Sequence, residues 1–247
     1  MKKLLRILPF LSLVIEASAQ AVVPVNIRAT NTLEHLFDFN GINNADLLYG
    51  IPLPPGKVIG DTYIDTHWKN CSILLYDKDK LIEGYPARYD IYMDELEIMG
   101  RNGIKVLKGN QVKSFVWADS ITRVPAYFVN AKDYINEDNV PFTGFFQVLS
   151  DGAMPLFKKT SIGIKKADYN VQLNVGSPDD KILKKVKFYT VDEKRVVELP
   201  VSRKKLFTLF DEDYEKIEQL VKDNNLSTSN EDHLVIIFQH YNSQNNH

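Results

Sequence analysis

The chain has 247 residues, 44% of them hydrophobic, which is enough to bury a core as one large domain or two small ones. Its single cysteine, Cys71, excludes an internal disulfide and with it a disulfide-stabilised scaffold. We expect Cys71 to be a small core residue. A formal net charge of −2 and an isoelectric point below neutral argue against nucleic-acid binding.

Residues 1–19 have the three-part layout of a secretory signal. A basic start is followed by an apolar run over 7–15 and then by small residues that suit a signal peptidase. The apolar run is much shorter than the roughly 20 residues that cross a bilayer. The pattern predicts cleavage near Ala19/Gln20 and a periplasmic or secreted chain without a transmembrane segment.

Residues 20–60 are predicted to form an extended strap, because the prolines and glycine at 52–56 rule out regular structure there. The pattern that follows predicts short strands separated by turns about every ten residues. The strongest hairpin signals are Asn-Gly at 102–103 and Asp-Gly at 151–152. We therefore predict a mainly β fold, an antiparallel meander over 61–175 that is sandwich-like or half-barrel-like.

Residues 176–247 are predicted to form a β-hairpin followed by short helices that cap the sheet. Ser202 can cap the first helix, and Thr228 with Glu231 forms a capping box before the last. Because short helices are marginally stable alone, they must dock against the strands.

The charge is unevenly distributed along the chain. Residues 158–205 hold thirteen basic and six acidic side chains, whereas 61–100 hold nine acidic and four basic ones. The basic stretch either binds an acidic glycan or lipid phosphate, or it is a solvated strand face paired with acidic neighbours. The candidate ligand contacts on it are Lys184, Lys185 and Lys187.

No catalytic, metal or nucleotide motif is complete. The Ser-Arg-Lys-Lys run at 202–205 matches Ser-x-x-Lys without its companion motifs, and the glycine-lysine run at 50–57 has the wrong spacing for a phosphate loop. His233 and His240 stand seven apart, whereas a helical zinc pair stands four apart. We expect no enzyme activity, metal or cofactor.

Two further clusters leave alternatives open. Asp90 and Asp94 would share a face of a regular strand, with Glu95 beside them, so the three could serve a carboxylate-based hydrolase or blunt a strand edge. Aromatic residues nearby could stack on a ligand or form core. The aromatic candidates for ligand binding are Tyr85, Tyr89, Tyr92 and Trp68.

The sequence at 85–97, together with 165–169 and 174–177, resembles exported proteins of Gram-negative bacteria that have no assigned activity. The resemblance implies the compartment and brings no ligand or catalytic residue. We expect a non-catalytic binding or structural protein of the bacterial envelope, whose partner is an envelope protein, a glycan or a lipid. The alternatives are a carrier of a hydrophobic ligand and the hydrolase.

Overall fold

The computed structural model describes residues 56–118, 124–170, 173–192 and 195–245. The predicted signal and the strap up to residue 55 lie outside these residues. The strands are β1 (Val58–Ile59), β2 (Lys69–Leu75), β3 (Leu81–Asp90), β4 (Glu95–Gly100), β5 (Gly103–Lys108), β6 (Val112–Ala118), β7 (Pro125–Asn130), β8 (Phe145–Ser150), β9 (Leu156–Lys165), β10 (Asp180–Asp192) and β11 (Arg195–Glu198); the helices are α1 (Arg203–Phe207), α2 (Tyr214–Asp223) and α3 (Glu231–Asn245).

Within the described residues, the eleven strands form one sheet in the order β1-β10-β9-β8-β7-β6-β2-β3-β4-β5, with β11 also paired to β10. The sheet is not closed, and the predicted mainly β fold with C-terminal helices is confirmed. Two features depart from a simple meander. Strand β2 lies between β3 and β6, and β1 runs parallel to β10.

The turns at the two ends of β4 are each fixed by a few neighbouring residues. The predicted Asn-Gly hairpin joins β4 to β5, with Gly103 at φ 107°. A regular strand would have placed Asp90 and Asp94 on one face, but β3 ends at Asp90. The Asp90 carboxylate accepts hydrogen bonds from the backbone N–H groups of Tyr92 and Met93, which forms a tight turn. Asp94 closes the turn at φ 51°, so the two residues do not share a regular strand.

The sheet curls strongly. The rings of Tyr89 on β3 and Phe145 on β8 meet edge to face at 5.1 Å, although three strands lie between them in the sheet order. Phe115 on β6 packs against both rings, at 6.1 and 4.9 Å, and stacks on Phe128. This aromatic contact closes the first hydrophobic core and gives this part of the sheet the shape of a half-barrel.

The three helices cover a second core on β8 to β10. Phe207, Phe210, Ile217 and Phe238 are buried there against Leu156 of β9. None of the helices in the described ranges is long and apolar enough to cross a bilayer. A third core, which includes Phe146 and Phe157, lies on the opposite face of β8 and β9 from Phe145 and Leu156, because successive side chains of a strand point to opposite faces.

Candidate functional site

A cleft of about 380 Å³ opens where the curl brings the β3–β4 turn close to β8 and β9. The turn supplies one wall and the two strands, with the residues just before β8, supply the other. Its lining is mixed in polarity, with one lysine, one carboxylate and several hydroxyl groups among apolar side chains. The lining residues are Tyr89, Ile91, Tyr92, Asp94, Thr143, Gly144, Phe145, Lys159, Thr160, Ser161 and Ile162.

Lys159 is the cation of the cleft. It is half-buried, its Nζ donates a hydrogen bond to the backbone carbonyl of Thr143, and it lies 5.4 Å from the ring centre of Phe146. Burial lowers the pKa of Lys159 to about 8, against a smaller opposing effect of Asp94. A substantial fraction of this amine is therefore neutral near physiological pH.

The Asp94 carboxylate and the Tyr89 hydroxyl form a fixed pair. The Tyr89 hydroxyl donates to Asp94 Oδ1 at 2.7 Å, and the Gly109 N–H donates to the Asp94 backbone carbonyl at 2.7 Å. A Cβ atom on Gly109 would lie 2.1 Å from Asp94 Oδ1, so glycine leaves the room that the carboxylate occupies. Burial raises the pKa of Tyr89, which keeps its hydroxyl protonated and able to donate.

Gly144 leaves a gap between Tyr89 and Lys159. Its φ is 71°, a conformation that favours glycine, and a Cβ added there would lie 3.0 Å from the Tyr89 hydroxyl and 3.7 Å from Lys159 Nζ. The hydroxyl and the amine therefore border the same small space. A ligand group entering this space would meet both of them.

The structure brings two of the predicted aromatic residues to the cleft. Tyr92 is 43% exposed, whereas Tyr89 is buried in the first core and also lines the cleft. Tyr85 and Trp68 are not part of the lining. Trp68 instead stacks on the guanidinium of Arg88, 4.5 Å from its ring centre.

The predicted lysines of β10 are not among the lining residues, although they are the cross-strand partners of three that are: Lys184 of Ile162, Lys185 of Ser161 and Lys187 of Lys159. Lys184 pairs with Asp61 at 2.9 Å and Lys187 pairs with Glu198 at 2.7 Å, while Lys185 is exposed. These pairs match the alternative in which the basic stretch is a strand face with acidic neighbours. A ligand role for the three lysines stays a prediction.

Of the predicted carboxylates, one lies in the cleft and the others do not. Asp94 lines the cleft, whereas Asp90 accepts hydrogen bonds from the Thr62 hydroxyl and from the turn, and burial raises its pKa. Glu95 is not among the lining residues; it begins β4, in register with Asp90 on β3 and Lys108 on β5.

Sequence reasoning missed Lys159 and Gly144. Lys158 and Lys159 look equivalent in sequence, but successive side chains of a strand point to opposite faces. Lys158 reaches Glu231 on α3 at 2.8 Å, and Lys159 reaches the cleft. Only the pairing of β9 decides which lysine goes to which face.

The histidines of α3 have local partners. His233 Nδ1 accepts from the Ser227 N–H at 2.9 Å, and His240 Nε2 lies 3.0 Å from the Gln244 amide. No group of three or more metal-ligating side chains occurs in the part of the chain that the structure describes. Comparison with protein-family models, with curated protein sequences and with solved structures found no match to this chain.

Proposed function

We propose that this is an exported, non-catalytic binding protein whose cleft beside Lys159 binds a small molecule that carries an anionic group. The observation that carries the proposal is the half-buried amine. The amine has no carboxylate within ion-pair distance among the described residues, unlike Lys158 next to it. A ligand anion would supply the missing partner.

The size and polarity of the cleft favour a small ligand. Its volume of about 380 Å³ is near the lower end of the range for small-molecule sites. Hydroxyl-bearing residues, Thr160 and Ser161, lie beside the amine and offer further hydrogen bonds. These features support a polar ligand over the alternative of a lipid, whose hydrocarbon tail needs a longer apolar cavity.

The carboxylates support binding over hydrolysis. A glycoside hydrolase uses two carboxyl groups that face one another across the substrate. Asp94 is the single carboxylate of the cleft lining, and its Oδ1 is already engaged by the Tyr89 hydroxyl. The hydrolase is the weaker alternative for this cleft.

The binding proposal is tested by titrating the protein with glycolate and with inorganic phosphate, followed by calorimetry and by backbone amide shifts. We expect binding that perturbs the amides of Thr143 and Gly144. A Lys159→Met variant should lose about tenfold or more in affinity, because a hydrogen bond to a charged group contributes about 1.5 to 3 kcal/mol.

Two matched variants complete that test. Lys105→Met removes an exposed lysine on β5 and should leave the affinity unchanged. Lys185→Met examines the basic face of β10 that the sequence predicted. If neither anion binds, or if Lys159→Met binds as well as the wild type, the proposed site is wrong.

The proposal of export is supported by the signal layout of residues 1–19. Expression of the full chain in a Gram-negative host, with N-terminal sequencing of the periplasmic fraction, tests it. We expect a mature chain that begins at Gln20. An uncleaved chain confined to the cytoplasm would contradict export.

A further inference from the structure

Lys159 differs from the other lysines of this part of the sheet in what surrounds its amine. Lys158, Lys184 and Lys187 each have a carboxylate oxygen within 2.9 Å. Lys159 has a backbone carbonyl, an aromatic ring at 5.4 Å and the open cleft. The carbonyl and the ring each favour an ammonium group, but burial costs the charged form more, so the pKa of Lys159 is lowered.

The consequence is an amine that is a nucleophile near neutral pH. Burial lowers the pKa of Lys159 to about 8, so about a tenth of the amine is neutral at pH 7, against less than a thousandth for an ordinary lysine. A lone pair on a positioned lysine is what carbonyl compounds require for covalent capture. The titratable groups that line the cleft around it are Tyr89, Tyr92 and Asp94, and Lys187 is its cross-strand neighbour on β10.

The neighbours supply the other requirements of that chemistry. The Tyr89 hydroxyl borders the same gap beside Gly144 as Lys159 Nζ, at distances of 3.0 and 3.7 Å from the position of an added Cβ. This hydroxyl is hydrogen-bonded to Asp94 Oδ1 at 2.7 Å. A carbonyl group bound in the cleft next to Gly144 would therefore lie near both the amine and a hydroxyl that is hydrogen-bonded to a carboxylate.

We propose that the ligand of the cleft is a small aldehyde or ketone, held by Lys159 as a reversible imine. In this step Lys159 Nζ adds to the carbonyl carbon, and the carbonyl oxygen takes up the proton that the nitrogen gives up, which yields a carbinolamine. The nitrogen then loses its second proton as the hydroxyl group leaves as water, and a C=N bond forms. No oxidant or reductant takes part, and added water reverses the reaction.

The inference rests on the proposed function, since it names the chemical class of ligand for the same cleft. Its test uses glyoxylate, which has an aldehyde beside a carboxylate, and glycolate, which lacks the aldehyde. The protein is incubated at pH 7.5 with glyoxylate and sodium cyanoborohydride, which reduces an imine to a stable carboxymethyl amine. The modified lysines are then identified by peptide mass spectrometry over time.

We expect Lys159 to be modified first, about tenfold faster than the exposed Lys105, because its larger neutral fraction outweighs its lower intrinsic nucleophilicity. Excess glycolate should slow the modification of Lys159 and leave that of Lys105 unchanged. Since the wild-type protein carries both lysines, the result does not depend on whether a variant folds.

The outcomes separate the two proposals. If glycolate binds the cleft but Lys159 reacts no faster than Lys105, the imine is overturned and the binding site stands. If glycolate does not bind and Lys159 is not preferred, both fail. A Lys159→Arg variant, which keeps the charge and loses the nucleophile, should retain glycolate binding and lose the trapped adduct.

Discussion

At the scale of single residues, the same side chain has different properties according to what lies beside it. Lys158 and Lys159 are adjacent in the chain, but one is neutralised by Glu231 on α3 and the other faces the cleft. The pairing of Lys158 lets it remain an ordinary charged lysine. The half-buried position of Lys159 lowers its pKa, so its protonation should influence the stability of the fold.

Lys159→Met should stabilise the protein near neutral pH and lose that advantage in alkali. Lys159 has a folded pKa of about 8, below its ordinary value of 10.5. The unfolded chain therefore binds more protons between these values, and the free energy of unfolding of the wild type rises with pH through that window. We expect Lys159→Met to be more stable than the wild type by about 1 to 2 kcal/mol at pH 7.5, a value reduced for solvent screening of a half-buried group.

Urea denaturation of both proteins at pH 7.5 and pH 10 measures this difference. The difference between them should shrink at pH 10, and comparing the two proteins removes the contribution of tyrosines and other lysines. If the difference in the free energy of unfolding stays constant or grows with pH, the pKa of Lys159 is not lowered in the folded state.

Gly144→Ala should lose ligand binding as well as stability. Alanine at φ 71° is strained, and its Cβ would also enter the gap at 3.0 Å from the Tyr89 hydroxyl. Gly84→Ala is a matched control, because its φ is 77° and nothing lies within 4 Å of the added Cβ. Each variant should lose about 1 kcal/mol of stability from the positive φ, and Gly144→Ala somewhat more.

Thermal unfolding measures the backbone strain that both variants share, and glycolate titration measures the effect of the added Cβ on the cleft. Only Gly144→Ala should bind glycolate more weakly than the wild type. Equal binding by both variants would mean that the gap beside Gly144 is not part of the ligand site.

At the scale of elements, a buried amide fixes helix α3 on the sheet. Asn242 is 3% exposed, and its side chain accepts from the Met154 N–H at 2.9 Å. It donates to the Met154 carbonyl at 2.8 Å and to the Asp151 carbonyl at 3.1 Å. The β8–β9 turn thus uses a helix side chain to satisfy backbone groups that the turn itself leaves unpaired.

Asn242→Ala should destabilise the protein by about 2 to 4 kcal/mol, because several buried backbone groups lose their partner at once. Gln244→Ala on the exposed side of α3 is the control and should change stability by less than about 0.5 kcal/mol. Urea unfolding followed by circular dichroism measures both. A loss for Asn242→Ala no larger than that of the control would contradict the anchoring role.

At the scale of the whole molecule, the sheet joins three cores into one unit. Phe145 on β8 belongs to the core of the curled part, and its neighbour Phe146 belongs to the third core. On β9, Leu156 packs under the helices while Phe157 packs beside Phe146. Together, the adjacent strands β8 and β9 thus contribute to all three cores. Disruption of one core should therefore destabilise the others.

Phe238→Ala in the helical core should therefore lower the stability of the distant curled part as well. The two tryptophans, Trp68 and Trp117, report on the curled part, while far-UV circular dichroism reports on the helices as well as the sheet. We expect the two urea transitions to coincide and to shift together by about 3 to 5 kcal/mol. A fluorescence transition that stays at the wild-type position would show two independent cooperative units.

Much of the local architecture was predictable from sequence because it depends on neighbours in the chain. The hairpin predicted from the Asn-Gly pair at 102–103 forms, although Arg101 and Asn102 are the two residues between the paired Gly100 and Gly103, and Gly103 alone of the Asn-Gly pair has a positive φ. Apolar spacing indicated the C-terminal helices. The predicted caps were wrong: the Ser202 side chain makes no capping hydrogen bond, and Asn230 Oδ1 rather than Thr228 accepts from the N–H of His233. Asp90 and Asp94 do not share a regular strand, because the Asp90 carboxylate accepts from the N–H groups that follow it, in a turn that competes locally with an extended strand.

The sequence by itself determined the mainly β class, the hairpins and the helical end of this protein, since each depends on residues a few positions apart. Only the tertiary structure decided the curl of the sheet, and with it the cleft, because Asp94, Gly144 and Lys159 come from segments that are far apart in the chain. Aromatic packing between Tyr89 and Phe145 brings those segments together. The environment that makes Lys159 distinct from Lys158 exists only after that contact has formed.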